Sequence, residues 1–122
     1  MIERITINGV HTVVDEDLNK YVTKKIGKLD TFMSRHSRES AHVEIKLKEA
    51  KAKDKKQATC EVIMHLPHEV LATKETTLNM YAAVDIVEAK LRNQLKKYKQ
   101  THEQSYRLHR RLLSRVRRGS KI

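Results

Sequence analysis

Apolar and polar positions alternate over residues 3–8, with Ile5 and Ile7 on one side and Arg4, Thr6 and Asn8 on the other. Such a period of two predicts a short strand with one wet face. Asp15 then offers a side-chain cap, and Glu16 and Asp17 sit where carboxylates suit the positive end of a helix. Leu18, Val22, Ile26, Leu29 and Met33 recur at helical spacing and form one apolar stripe, with Lys20, Lys24 and Lys28 outside it. The helix is expected to fray at Ser34, in a polar run over 34–40. Ala41, Val43, Ile45 and Leu47 alternate with His42, Glu44, Lys46 and Lys48, giving the clearest strand of the chain. Residues 49–57 are Lys-rich without Gly or Pro and read as a mobile hairpin loop. Cys60, Val62, Met64 and Leu66 form the next strand, Pro67 and His68 turn it, and Val70 and Ala72 are assigned to the inward face of a fourth. From Asn79 the period is helical again. Met80, Ala83, Val84, Val87, Leu91 and Leu95 make the buried stripe, with Asn79 or Thr77 as cap. Leu108, Leu112 and Val116 keep a spacing of four, which is compatible with a second helical segment near the end of the chain.

The resulting order is β-α-β-β-β-α followed by a tail. A crossover through the first helix places strands one and two in parallel, and hairpins supply the rest. The fold class is therefore α+β: a four-stranded mixed sheet with two helices on its one apolar face and water on the other. Residues 1–100 are read as the folded domain and 101–122 as a basic tail, helical or disordered. A domain of ~100 residues buries an adequate core without staples. The single cysteine, Cys60, allows no intramolecular disulfide and fits a reducing compartment. No run of ~18 apolar residues suits a membrane span, and the N-terminus lacks a signal-peptide pattern, so the chain is expected to be cytoplasmic.

Charge changes the picture more than composition does. The chain carries a net +11, yet residues 1–89 balance at 14 basic and 14 acidic side chains. Residues 90–122 hold the other 12 basic residues and one acid, Glu103. A neutral body with one strongly basic end is an electrostatic footprint for a polyanion. The bland alternative is a solubilising tail. In the C-terminal half of the second helix, Lys90, Arg92, Lys96, Lys97 and Lys99 cluster away from the buried stripe. The helix dipole favours cations there, but it does not account for Arg107, Arg110, Arg111, Arg115, Arg117, Arg118 and Lys121 beyond it. Arginine suits bidentate phosphate contacts. A helix over 79–99 spans roughly 30 Å at ~1.5 Å per residue, long enough to follow several phosphates. Base stacking is a minor theme, except at Tyr98 and Tyr106 beside the basic cluster.

No catalytic constellation stands out, and an enzyme is not expected. There is no P-loop, no G-x-S-x-G and no paired cysteine ligands. Cys60 falls on the inward face of a strand, where a thiol packs as a small hydrophobe. Asp85 and Glu88 are three apart on one helix face, which is ordinary. His65 and His68 flank a turn without a partner pair of ligands, so neither a metal nor any other cofactor is assigned. A basic amphipathic tail held on a membrane surface is the weakest reading, because Leu108, Leu112, Leu113 and Val116 give a modest face without Trp or Phe.

The stretch Asn79-Met80-Tyr81-Ala82-Ala83-Val84-Asp85 resembles the signature opening the second helix of the ribosome hibernation promoting factor family, which includes the ribosome-associated translation inhibitor. It continues as Lys90-Leu91-Arg92-Asn93-Gln94-Leu95-Lys96-Lys97-Tyr98-Lys99, close to that family's K-L-x-R-Q-L-x-K-x-K pattern. Ile5-Thr6-Ile7-Asn8-Gly9 and Lys25-Ile26-Gly27-Lys28-Leu29 also match, and the resemblance covers residues 2–100. It implies a fold similar to the double-stranded-RNA-binding domain. It also implies a monomer bound to rRNA in the decoding region of the small ribosomal subunit, where it competes with mRNA and tRNA and inhibits translation in idle ribosomes. The matched rRNA-binding positions are Lys25, Lys28, Lys90, Gln94, Lys97 and Lys99. Asn79 stands in place of the usual Asp. Asn93 stands in place of the usual Arg, with Arg92 next door as its substitute. Arg107, Arg110 and Arg111 in the tail are assigned to the same rRNA surface on charge alone. No counterpart of the long members' C-terminal dimerisation domain follows, so the chain reads as short-type with a basic extension, or as part of a longer member. A general RNA-binding or RNA-chaperone module acting off the ribosome is the alternative.

Overall fold

The computed structural model describes residues 1–53 and 55–104. Strand β1 (Arg4–Val10) is followed by helix α1 (Glu16–Gly27), a 3₁₀ turn (Lys28–Phe32) and a short helix α2 (Arg35–Ser40). Then come β2 (His42–Ala52), β3 (Lys55–His65), β4 (Val70–Thr77), the long helix α3 (Met80–Tyr98) and one π-helical turn (Lys99–Gln104). The four strands lie in the order β1-β2-β3-β4, with β1 parallel to β2 and the other pairs antiparallel. The mixed α+β sheet of the sequence reading is thus the observed one.

The predicted local signals act as expected at both long helices. Asp15 Oδ1 accepts a hydrogen bond from the Leu18 N–H at 2.8 Å, closing the first turn of α1. At α3, Asn79 Oδ1 accepts from the Tyr81 N–H at 2.8 Å, and the Asn79 N–H donates to Thr77 Oγ1. Both residues proposed as caps therefore take part. Leu18, Val22, Ile26, Leu29 and Met33 are all buried, although α1 ends at Gly27 and the last two are carried by the 3₁₀ turn and its end. The full α3 stripe is buried too, and it meets Val43, Ile45, Leu47, Cys60, Val62 and Met64 of the sheet in one continuous core. Gly9 has a steric reason: a Cβ there would lie 2.9 Å from the Thr12 carbonyl oxygen, where the chain folds back after β1.

Three expectations are corrected. The run over 34–40 is not frayed chain but helix α2, whose Ser34 side chain accepts from the Ser37 N–H at 3.2 Å. Six residues without an apolar stripe leave no periodic signal, and the cap and the buried Ser37 hold the turn. Residues 49–57 are not a loop, because the β2–β3 ladder continues to the Ala52–Lys55 pair, with Lys53 in the left-handed backbone region (φ 52°). Two-residue hairpin connections favour that conformation. Backbone pairing needs no apolar side chains, so the strand ends left no trace in hydropathy. Finally, β4 has the opposite phase. Leu71 is buried and Val70 is 55 % exposed, because Met64 pairs with Leu71 and His65 with Val70. A shift of one residue exchanges the two faces of a strand.

The β4 phase makes a direct test. Val70→Lys should change stability by no more than ~0.5 kcal/mol, as surface substitutions do. Leu71→Lys should cost upward of ~2 kcal/mol by burying an unpaired charge. Urea unfolding of the two variants checks both values.

Candidate nucleic-acid interface

Helix α3 carries its buried stripe along one side, so its charged residues emerge in two rows flanking that seam. Spacings of three and four put Lys90, Gln94, Lys97 and Thr101 in one row and Glu88, Arg92, Lys96 and Lys99 in the other. The first row faces β4: Lys90 Nζ binds Glu75 Oε2, and Gln94 Nε2 donates to the Ala72 carbonyl at 3.4 Å. The second row faces α1 and the 3₁₀ turn. Lys96 Nζ stands 5.7 Å from the centre of the Phe32 ring, and Arg92 reaches Glu88 at 3.4 Å. Sequence order had made one cluster of these residues. The fold divides it across the two sides of a helix.

Lys25 joins the second side from α1. Its Nζ lies 3.6 Å from Asp85 Oδ1 and 5.8 Å from the centre of the Tyr21 ring. Tyr21 donates its hydroxyl proton to the same carboxylate, and its ring meets Tyr81 edge-on at 4.9 Å. That hydrogen bond, reinforced by desolvation and the charge of Asp85, pushes the Tyr21 phenol up to about 12. Asp85 is therefore a junction between α1 and α3 rather than an idle surface acid.

The cations assigned from the sequence divide by whether the protein already neutralises them. Lys25, Lys90 and Arg92 are paired to Asp85, Glu75 and Glu88. Lys28 and Lys97 are exposed and Lys99 is half-buried, and these three have no ion pair among the described residues. Arg107, Arg110, Arg111 and Tyr106 lie outside the described residues. Tyr98 needs correcting as a stacking surface: it is 3 % exposed, part of the core. Its position, three after Leu95, continues the apolar stripe, and that signal was available in the spacing. Counter-charges were the residues that sequence reasoning missed. Glu88 and Arg92 are four apart and legible as a helical pair, but Glu75 meets Lys90 only once β4 has its observed phase.

The histidines and the cysteine go elsewhere. His65 stacks on His42 at 4.1 Å and contacts Glu44 at 3.2 Å on the open sheet face. His68 stacks instead on His102 at 5.2 Å, so the pair that flanks the turn does not converge. Cys60 is fully buried, and desolvation pushes its thiol up to about 12, far from the thiolate that reactivity needs. No helix among the described residues is long and apolar enough to cross a membrane.

Fold and surface together define a small α+β domain whose long helix presents basic rows beside an open sheet. The chain belongs to the family described as sigma 54 modulation protein / S30EA ribosomal protein, whose family model matches residues 5–103. Among relatives, it is 32 % identical over 96 residues to the ribosome hibernation promotion factor of Lactococcus lactis subsp. cremoris, covering 79 % of this chain and 49 % of that protein. It is 29 % identical over 96 residues to the Staphylococcus aureus protein of the same name, covering 79 % and 48 %. The chain thus spans about half the length of the curated relatives it matches. Its fold is similar to the N-terminal domain of Thermus thermophilus Protein Y, with TM-score 0.61, 23 % identity and coverage of 78 % of this chain and 98 % of that one. It is also similar to a ribosomal subunit interface protein from Coxiella burnetii, with TM-score 0.64, 21 % identity and coverage of 80 % and 98 %.

Two outcomes follow from this charge arrangement. Glu75→Gln frees Lys90 and should tighten binding to single-stranded RNA, with the log-affinity against log-salt slope steeper by about 0.7–0.9 for one more phosphate contact. Titration at two salt concentrations measures it. Asp85→Asn should return the Tyr21 phenol from about 12 toward its ordinary 10, read by ultraviolet difference spectroscopy. Because the folded-state value is the higher one, the bond stabilises the fold fully below pH 10, and that contribution is lost as pH rises from 10 through about 12.

Proposed function

We propose that this chain is a ribosome-associated hibernation factor that docks on rRNA of the small subunit and occludes the path of mRNA and tRNA in idle ribosomes. The observation that carries the reading is the α3 rim. Lys97 and Lys99 stand beside Lys96 near the end of the helix without an acidic partner among the described residues, and two relatives of the chain are named ribosome hibernation promotion factors. Lys28, which has no ion pair among the described residues, adds a cation at the start of the 3₁₀ turn that follows α1. The body, residues 1–100, is the ribosome-binding domain, and 101–122, with seven bases and one acid, extends the basic track. It acts as a monomer, in the cytoplasm, with rRNA as its partner and no small-molecule substrate.

The mechanism is steric and reversible. Phosphate contacts position the protein without forming or breaking a covalent bond. The ion pairs of Lys25, Lys90 and Arg92 open toward phosphate at some cost, so these residues contribute less per charge than Lys97 and Lys99. With several phosphates neutralised, affinity for small subunits should fall ~10³–10⁵-fold between ~50 and ~200 mM salt. A flat salt dependence sinks the electrostatic reading.

Sedimentation of small subunits with the protein tests the site. Binding should be displaced by tRNA with mRNA and lost in the combined Lys90, Lys97 and Lys99 to Ala variant, with thermal unfolding unchanged. Binding that persists in this variant overturns the assigned surface. Binding to RNA that neither tRNA nor mRNA displaces identifies a module acting off the ribosome instead.

A further inference from the structure

A groove of about 440 Å³ runs between β4 and the C-terminal half of α3, lined by Glu69, Val70, Leu71, Ala72, Gln94, Lys97, Tyr98 and Thr101. Two buried polar atoms on its α3 wall, Gln94 Oε1 and the Tyr98 hydroxyl, have no hydrogen-bond partner among the described residues. Buried polar groups in native proteins are nearly always satisfied, and an unmet one costs ~1–3 kcal/mol. Gln94 and Tyr98 both line this groove, and a small side-chain opening brings each unmet atom to a ligand that completes it.

The opposite wall is an edge. β4 is the last strand of the sheet. The Leu66 N–H donates to the Glu69 carbonyl at 3.0 Å across the β3–β4 turn. Antiparallel pairs alternate, so Leu71 and Thr73 also direct their peptide groups to β3, while Val70 and Ala72 direct theirs to the open edge. The bond from Gln94 to the Ala72 carbonyl agrees with this direction. The groove therefore offers edge N–H donors on one side, the acceptor Gln94 Oε1 and the ambivalent Tyr98 hydroxyl on the other, and on the rim Lys97, which has no ion pair among the described residues.

We propose that this groove receives one unpaired nucleobase of a bound RNA, its hydrogen-bonding edge read by Gln94 Oε1 and the Tyr98 hydroxyl and its adjoining phosphate held by Lys97. The inference rests on the α3 rim being an RNA contact and adds base readout to it. Each base presents a donor beside an acceptor on that edge, the amine and ring nitrogen of adenine or cytosine and the imino N–H and carbonyl of uracil, so Gln94 Oε1 accepts from the donor and the Tyr98 O–H donates to the acceptor, whichever base enters. An extended peptide added to β4 is the competing occupant. It is disfavoured because the Gln94 amide already takes the Ala72 carbonyl that such a strand needs, and because Lys97 on the rim favours a ligand that carries an anion beside the groove.

The test uses the full chain with oligouridylate and an abasic oligomer of equal length. Wild type should bind the first about three- to tenfold more tightly than the second, the worth of a neutral hydrogen bond made only with a base, with amide shifts at Val70 and Ala72. Tyr98→Phe keeps the packing and removes only an unmet hydroxyl, so it should unfold at no lower temperature. It should erase the preference and leave the salt slope unchanged, because no phosphate contact is lost. Gln94→Ala gives the same loss of preference by a second route. Equal binding of both oligomers, still lost in the Lys90, Lys97 and Lys99 variant, overturns the base pocket and leaves the rim intact. No binding of any oligomer overturns both. Val70 and Ala72 shifts produced by an extended peptide and not by RNA overturn the pocket in favour of strand addition.

Discussion

The seam between α3 and the sheet governs the rest of the molecule. Ala83, Val84, Val87, Leu91 and Leu95 are entirely withdrawn from solvent against Leu47, Cys60, Val62 and Met64. A close-packed contact of this length leaves α3 no freedom to roll about its axis. Each charged residue then has one direction available. Lys90, Gln94 and Lys97 lean toward the β4 edge, and Arg92, Lys96 and Lys99 toward α1 and the 3₁₀ turn. The basic surface is a by-product of apolar packing, oriented by side chains that never touch solvent.

Within that frame the protein restrains its own cations. Glu75, Asp85 and Glu88 each hold one base, on β4 or on α3 itself, and Asp85 also ties Tyr21 of α1 to the helix. Such exposed pairs add little to stability. Their effect is on the field: they lower the charge over the middle of α3 and leave it concentrated near the C-terminal end, where Lys97 and Lys99 have no ion pair among the described residues. The sequence that follows is basic as well. The family match over 5–103 includes the helix that carries the resemblance at residues 79–99.

The C-terminal half of α3 also meets the β3–β4 turn. Tyr98 packs in the core, and His102 touches it at 4.8 Å, stacks on His68 and bonds Glu69 at 3.1 Å. These contacts tie the end of α3 to the β3–β4 turn. The cations and the packing residues are therefore neighbours on one helix, with Gln94 and Tyr98 lying between them.

Sequence alone determined the elements that depend on local pattern. The helical stripes from Leu18 and from Met80, the alternation over Val43–Leu47 and Cys60–Met64, and the caps at Asp15 and Asn79 each reflect a period or a single side-chain bond within a few residues. The charge imbalance and the lysines of α3 were equally legible, since they need only counting and spacing. Tertiary structure decided what depends on partners distant in the chain. The β4 phase follows from pairing Leu71 with Met64, the neutralising of Lys90 follows from that phase, and the division of the α3 cations follows from which side of the helix meets β4. Helix α2 and the extended β2–β3 hairpin stayed hidden because backbone bonding holds them without an apolar pattern. Hydropathy records which residues leave water, but the register between strands is set by hydrogen bonds and packing that no single segment contains.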